Sequence, residues 1–407
     1  METPEQLSNY RYLITTAYMG FGHLRAAHNI ASYGKSPILR VDRKPFVNGV
    51  DELVWKSSQS IHTYGSRDKE SKNKFFYNWF ESLMAIPENG TPPSLGPSKF
   101  IRTMQKFGAG KEFLKSLDGI NPVLLHTFYL PAMLTTYHGY PGKNFLLLCD
   151  TDFHRVWAPV HADKATLNYC VPVVESADRL ISYGVRKEKI FVTGFPLPSA
   201  NTGGRDPRML EHDFDVRKTR LTSNSTLPLT IMFPFSGSGA YSNVLADLVK
   251  SIIDELKEGK LRLMVSCGDN EHALENAENL FVNYGIEELE YAEIMYDKDV
   301  FAAFDRFNSA LKSTDVMITK PSEMVFYAAL GIPLIFLPPI GAHEKRNENY
   351  LFENNCAVNL VPTSDFPEWL ETSRRKGFLS ELAENGFNNL PKNGSVAIDE
   401  LVGGAKN

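Results

Sequence analysis

Four loops of this sequence set polar or titratable side chains directly after an apolar run, and two of them carry paired glycines. The first is Gly20-Phe21-Gly22-His23. Glycine lets backbone approach a ligand closely, and the N-terminus of a following helix favours anions. His23 would sit at that terminus, where the helix dipole favours a neutral imidazole, the form a general base needs. A tight strand–helix turn without a ligand explains the two glycines equally well.

The second loop is Cys149-Asp150-Thr151-Asp152-Phe153-His154-Arg155-Val156-Trp157. Three readings compete for it. Asp150 and Asp152 can hold a divalent ion against a diphosphate. As strand-end carboxylates they can instead cap the next helix. Asp152 and His154 can also position substrate with no metal.

The third, Ser236-Gly237-Ser238-Gly239, offers several N–H and O–H donors to a diphosphate at a helix start. It lacks the Lys-Ser/Thr ending of a P-loop. Nearby, Gly268 closes the run 261–266 with Asp269 and Asn270. The fourth is Thr319-Lys320-Pro321-Ser322-Glu323, with Gly341-Ala342-His343-Glu344 and Asn347 following one strand later. Pro321 suits a first helical turn. Lys320 would bring a positive charge there, and Glu344 could accept hydrogen bonds from a sugar or ribose diol. Glu344 is also what a helix start favours through its dipole alone.

These loops need strands to carry them. Apolar runs of about five residues, the form of parallel strands buried on both faces, occur at 11–17, 37–41, 122–127, 145–149, 167–171 and 190–193. Helical stretches alternate with them at 23–33, 72–84 and 99–117. Residues 195–227 carry Pro196, Pro198, Gly203, Gly204, Pro207 and a Ser/Thr/Asn run, the composition of a connection. The alternation then restarts, with strands at 229–235, 261–266, 316–318, 332–337 and 357–361, helices at 240–257, from 321 and at 344–354, and a polar helical end. The expected architecture is α/β: two doubly wound Rossmann-like domains facing across a cleft. Residues 1–200 form the first, 201–227 the linker and 228–407 the second.

Composition sets the outer limits. In 407 residues, 43 basic against 48 acidic side chains give a net charge of −5, which argues against a nucleic-acid partner while leaving room for a local basic patch. The four cysteines, Cys149, Cys170, Cys267 and Cys356, form no CxxC pair; this fits a reducing compartment and a cytoplasmic protein. No apolar run approaches the ~20 residues that span a bilayer. The aromatic, basic stretch 72–83 (KNKFFYNWFESL) reads either as an interfacial membrane segment or as a helix packed on the sheet.

The order of these motifs resembles the monogalactosyldiacylglycerol synthase branch of the GT-B glycosyltransferases. In the first half the resemblance rests on Gly22-His23-x-x-Ala26-Ala27, then Thr151-Asp152 with His154 and Trp157, then Val192-Thr193-Gly194-Phe195-Pro196. In the second half it rests on residues 265–270, Thr319-Lys320-Pro321, Gly331-Ile332-Pro333 and Gly341-x-x-Glu344-x-x-Asn347. These last are also similar to the peptidoglycan lipid-linked N-acetylglucosamine transferase. The sequence departs from the family at Met19 and Phe21, where glycine is common, and in a shorter segment from Lys320 to Gly331.

The resemblance implies a hexosyltransferase that moves a sugar from a UDP-sugar to an acceptor hydroxyl, with inversion, no catalytic metal and no cofactor beyond the sugar nucleotide. His23 would be the base, assisted by Asp152 or His154, with Gly20 and Gly22 in the acceptor loop. Ser236, Gly237, Ser238, Gly239, Gly268, Lys320 and Ser322 would face the diphosphate, and Gly341, Glu344 and Asn347 the ribose or donor sugar. A membrane lipid is the acceptor this branch suggests, with the protein peripheral at the inner membrane face. Two rivals fit the same architecture: a sugar-nucleotide epimerase or hydrolase, and a non-catalytic nucleotide-sugar-binding or scaffolding protein. The oligomeric state is not legible.

Overall fold

The structure, a computed structural model, describes residues 3–47, 49–52, 54–55, 94–222, 225–235, 241–339 and 342–406. The stretch 72–83, the loop Ser236-Gly237-Ser238-Gly239 and Gly341 lie outside the described residues. The chain divides into two units, residues 1–199 with 393–407, and residues 200–392.

In the first unit the strands are β1 (Leu13–Thr16), β2 (Ile38–Arg40), β3 (Leu124–His126), β4 (Asn144–Leu147), β5 (Asn168–Val171) and β6 (Ile190–Val192). All neighbours are parallel, in the order β2-β1-β3-β4-β5-β6. The central strands β1, β3 and β4 are buried along their whole length, with Thr15, Thr16, His126 and Asn144 as buried polar positions among apolar ones, so they show no alternation of apolar and polar faces. The order reverses between β1 and β3, and ligands of open α/β sheets bind at the strand ends beside such a reversal.

The second unit carries β7 (Leu229–Pro234), β8 (Leu261–Gly268), β9 (Ala292–Tyr296), β10 (Val316–Thr319), β11 (Leu334–Phe336) and β12 (Ala357–Asn359). Its sheet is also all parallel, in the order β12-β11-β10-β7-β8-β9. Counted within the unit this is the 3-2-1-4-5-6 arrangement of dinucleotide-binding folds, with its reversal between β7 and β10.

Several expected boundaries shift, each for a local reason. The helix expected over 99–117 is two helices, Gly96–Lys106 and Lys111–Lys115. Gly108 and Gly110 between them hold φ of 102° and 84°, a left-handed backbone that glycine alone adopts without cost. The α-helix expected after Lys320 is a 3-10 helix, Glu323–Leu330, whose residues from Met324 onward are all buried. Strand β9 and the helices Glu271–Tyr284 and Val300–Ala310 were not expected at all.

The division of the chain also differs from the expected one at two places. The stretch expected as linker holds the helix Arg208–Leu221, which belongs to the second unit. Arg217, 2% exposed, donates from that helix to the carbonyls of Thr314, Leu330 and Leu311 at 2.6, 2.6 and 2.8 Å. Three charge-assisted bonds satisfy a guanidinium that burial would otherwise make costly. The C-terminal helix Gly394–Gly403 lies with the first unit instead of the second. There Asp399 receives Arg11 Nη2 at 2.5 and 2.6 Å and the Tyr12 hydroxyl at 2.8 Å, and Ser395 donates to the Leu197 carbonyl at 2.6 Å.

Candidate functional site

At the sheet reversal of the second unit, β10 ends on Thr319 and hands directly to Lys320. Lys320 Nζ donates to Glu344 Oε1 at 2.8 Å. Glu344, near the start of the helix Ala342–Glu353, has a side chain 3% exposed, against 30% for Lys320. A buried carboxylate stays ionised only with a compensating charge, so Lys320 keeps Glu344 an acceptor. Lys320 itself retains a solvent-facing side, where an anion can share its charge.

Two further bonds fix this corner. Asn347 Nδ2 donates to the Pro321 carbonyl at 3.1 Å from a fully buried position. This bond ties the helix Ala342–Glu353 to the turn that carries Lys320. Tyr241, a residue the sequence did not single out, donates its hydroxyl to the Pro338 carbonyl at 2.5 Å. Its φ of 71° is left-handed, unusual for a bulky side chain. Burial, with the nearby Glu344 charge adding to it, raises its phenol well above the ordinary range. Tyr241 thus ties the end of the β7 loop to the end of β11, on either side of Lys320.

Ser322 follows Lys320, and its amide donates to the Lys320 carbonyl at 2.8 Å. Gly268 ends β8 with φ of 62° at an irregularity in the pairing with β9, and its carbonyl accepts from Asp297 N at 3.0 Å. Of the expected donor residues, Lys320, Ser322, Glu344 and Asn347 therefore form one group, and Gly268 stands one strand beyond β7. Asn270 caps the helix Glu271–Tyr284, accepting from His272 N and Ala273 N.

In the first unit, Gly20 has φ of 92° and precedes the helix Phe21–Gly34, which includes Gly22 and His23. The ring of His23 lies 5.0 Å from that of Phe128 and 5.7 Å from that of Trp157. Tyr129 and Phe153 meet Trp157 edge to face, and Trp55 lies tilted against Phe128. Loops after β1, β3 and β4 thus place one imidazole against an aromatic wall beside the reversal. Phe128, Tyr129 and Trp55 were missed because isolated aromatics carry no spacing signal.

Asp152 is held by Arg179, whose Nε and Nη2 donate to its two carboxylate oxygens, each at 2.7 Å. The same pair holds the Arg179 guanidinium above its ordinary value. His154 caps the short turn Arg155–Trp157 and is half-buried. Arg155 donates to the Ala158 and Pro159 carbonyls, and the Tyr183 and Tyr169 hydroxyls to those of Phe153 and Trp157. Seen this way, Asp152 anchors the loop that presents His154 and Trp157.

A second histidine lies inside the sheet. His126, fully buried in β3, hydrogen-bonds with Thr15 through Nδ1 at 2.5 Å and with Asn144 through Nε2 at 3.2 Å. Burial pushes its pKa down to about 4. Among the described residues, one cavity of about 380 Å³ lies by Tyr140, Lys143, Asn168 and Lys189, and another of about 480 Å³ by Arg262, Glu293 and Arg306.

Two parallel-sheet units of this order define the GT-B class of fold. The structure is similar over 96% of its length to MurG of Acinetobacter baumannii, covering 98% of that chain with a TM-score of 0.52 and 13% identity. It is likewise similar to a UDP-GlcNAc 2-epimerase from Neisseria meningitidis bound to UDP-GlcNAc, over 97% and 99% of the two chains, with a TM-score of 0.50 and 10% identity. In sequence, the chain is 22% identical over 366 residues to the processive diacylglycerol beta-glucosyltransferase of Bacillus subtilis, spanning 86% of this chain and 83% of the relative. The corresponding enzyme of Bacillus pumilus is 22% identical over 376 residues, 89% and 86% of the two chains. A domain of unknown function (DUF6938) matches residues 208–284 and 276–358. Among the described residues no helix is long and apolar enough to cross a membrane.

Proposed function

We propose that this protein transfers a hexosyl group from a UDP-sugar to a hydroxyl of a membrane lipid, with inversion and without a bound catalytic metal. The observation that carries the reading is the Lys320–Glu344 pair at the β7/β10 reversal. The similarity to diacylglycerol glucosyltransferases over most of both chains supports the lipid acceptor.

The chemistry follows from charge. The acceptor oxygen attacks the anomeric carbon as the bond to the UDP oxygen breaks, and the leaving diphosphate takes the electron pair. Lys320 and backbone amides at the strand ends stabilise that developing charge. Glu344 accepts from the donor's hydroxyls while it remains paired with Lys320. His23, against Phe128 and Trp157, takes the acceptor proton, and the aromatic wall keeps water from competing. Asp152 acts through Arg179 by holding the loop of His154. The reading includes a peripheral location at the inner membrane face, in keeping with four buried cysteines that form no CxxC pair.

Calorimetric titration with UDP, GDP and ADP, each with and without Mg²⁺, tests the donor half. The reading expects UDP to bind best, independently of the metal, and to bind at least about tenfold more weakly to Glu344→Ala. Equal binding of all three nucleotides, or strict Mg²⁺ dependence, would reject it.

A further inference from the structure

We infer that the cavity at the start of β4, β5 and β6 binds a small organic phosphate, and that the last turns of the chain close the site around it. Three parallel strands begin side by side here. Lys143 directly precedes β4, Asn168 opens β5, and Lys189 directly precedes β6. The cavity, of about 380 Å³, falls in the size range of small-molecule sites. It lies at the strand starts, the opposite end of this sheet from the loops that carry His23, His154 and Trp157.

Charge selects the ligand. Lys143 and Lys189 line the cavity, and among the described residues no acidic side chain does, in a chain whose net charge is −5. Lys189 Nζ donates to Asn168 Oδ1 at 3.3 Å, a neutral acceptor that leaves the ammonium charge uncompensated. The adjacent Glu188 pairs with Arg186 at 3.1 Å instead. Two ammonium groups match a phosphate monoester, which carries about −1.5 to −2 charges at neutral pH.

The rest of the lining shapes a carbon body. Tyr140 donates its hydroxyl to the Pro122 carbonyl at 2.6 Å, so it offers the cavity its ring. A Cβ on Gly142 would lie 2.5 Å from that ring and 2.7 Å from the same carbonyl, so the loop before Lys143 packs this tightly only with glycine there. Asn168 Nδ2 donates to the Asn144 carbonyl at 3.0 Å, which fixes the amide that meets Lys189. Leu401 and Ala405 come from the helix Gly394–Gly403 and the 3-10 turn after it. A bound ligand therefore bridges the end of the chain to the β4–β6 edge. The site is separate from the donor chemistry proposed above and does not depend on it.

The test is calorimetric titration of the full chain with phenyl phosphate, inorganic phosphate and phenol. Phenyl phosphate is expected to bind at least about tenfold more tightly than either, since inorganic phosphate lacks the body and phenol lacks the charge. Lys143→Met/Lys189→Met should weaken it at least about tenfold. So should Thr166→Glu, which sets a carboxylate at an exposed position of the lining without removing packing. Lys320→Met should leave it unchanged, and hydrogen exchange in residues 398–405 should slow on binding. Absence of wild-type binding would overturn the inference, as would undiminished binding in either cavity variant. So would loss of binding in Lys320→Met, which would put the ligand in the donor site, or exchange at 398–405 that the ligand does not slow.

Discussion

Lys320 Nζ lies 2.8 Å from the buried carboxylate of Glu344, joining the end of β10 to the helix that follows β11. The two residues are 24 positions apart in sequence and meet only because β10 and β11 are adjacent parallel strands. Removing the cation takes the charged partner from a carboxylate whose side chain is 3% exposed. Lys320→Met should therefore lower stability by about 2 kcal/mol, below the full cost of breaking a buried pair because the lysine is partly solvated. Glu344→Gln should be milder, since a neutral amide needs no counter-charge. Urea unfolding of both variants checks the order.

Asp152 and Arg179 offer a second test of position against chemistry. Either single substitution, Asp152→Asn or Arg179→Met, should loosen the loop that carries His154 and Trp157. The double variant should cost less than the sum of the two, with a coupling of about 1–2 kcal/mol. If Asp152 acts by anchoring, Arg179→Met lowers kcat about as much as Asp152→Asn does. If Asp152 touches substrate, only Asp152→Asn lowers it.

His126 makes stability depend on pH in a defined window. Its folded pKa of about 4 lies below the ordinary value of 6.5, so the native state holds it neutral while the unfolded chain binds a proton first. Its stabilising effect is complete above about pH 6.5, falls as pH drops towards 4, and changes no further below that. The loss should be on the order of 3 kcal/mol. Denaturant midpoints at several pH values should show a slope in this window that His126→Gln removes.

The assignment of the C-terminal helix to the first unit can be checked at Gly394. A Cβ there would lie 2.1 Å from the Phe195 carbonyl oxygen, which is backbone and cannot swing aside. Gly394→Ala should lift the helix off that unit and expose Asp399 and its partners Arg11 and Tyr12. Hydrogen exchange should then quicken in residues 394–403 and near 11–12, while the sheet β7–β12 keeps its protection.

Strands buried on both faces were legible because consecutive apolar residues mark them, as Leu13-Ile14, Leu124-Leu125 and Leu146-Leu147 illustrate. Strand β9 was not: it lies at the sheet edge, and only Met295 of its five residues is buried. The helix Arg208–Leu221 reads as polar connection because its anchor is an arginine, and only the fold brings three carbonyls to Arg217. The return of residues 393–407 to the first unit depends on Asp399 meeting Arg11 and Tyr12, a pairing that no local pattern encodes. Of the residues the sequence singled out, Lys320 and Glu344 meet, and His23 lies against Phe128 and Trp157. Tyr241 and the Asp152–Arg179 pair escaped because their partners come from other elements.

The central claim is transfer of sugar to lipid, and the most direct measurement is product analysis with UDP-glucose and diacylglycerol vesicles. Chromatography and proton NMR of the lipid fraction would follow, with His23→Ala alongside. The account predicts a β-glucosyl lipid, the inverted product of an α-linked donor, made without added metal and lost in the variant. Release of free glucose or an epimerised UDP-sugar with no glycolipid, or an α-linked product, would contradict it.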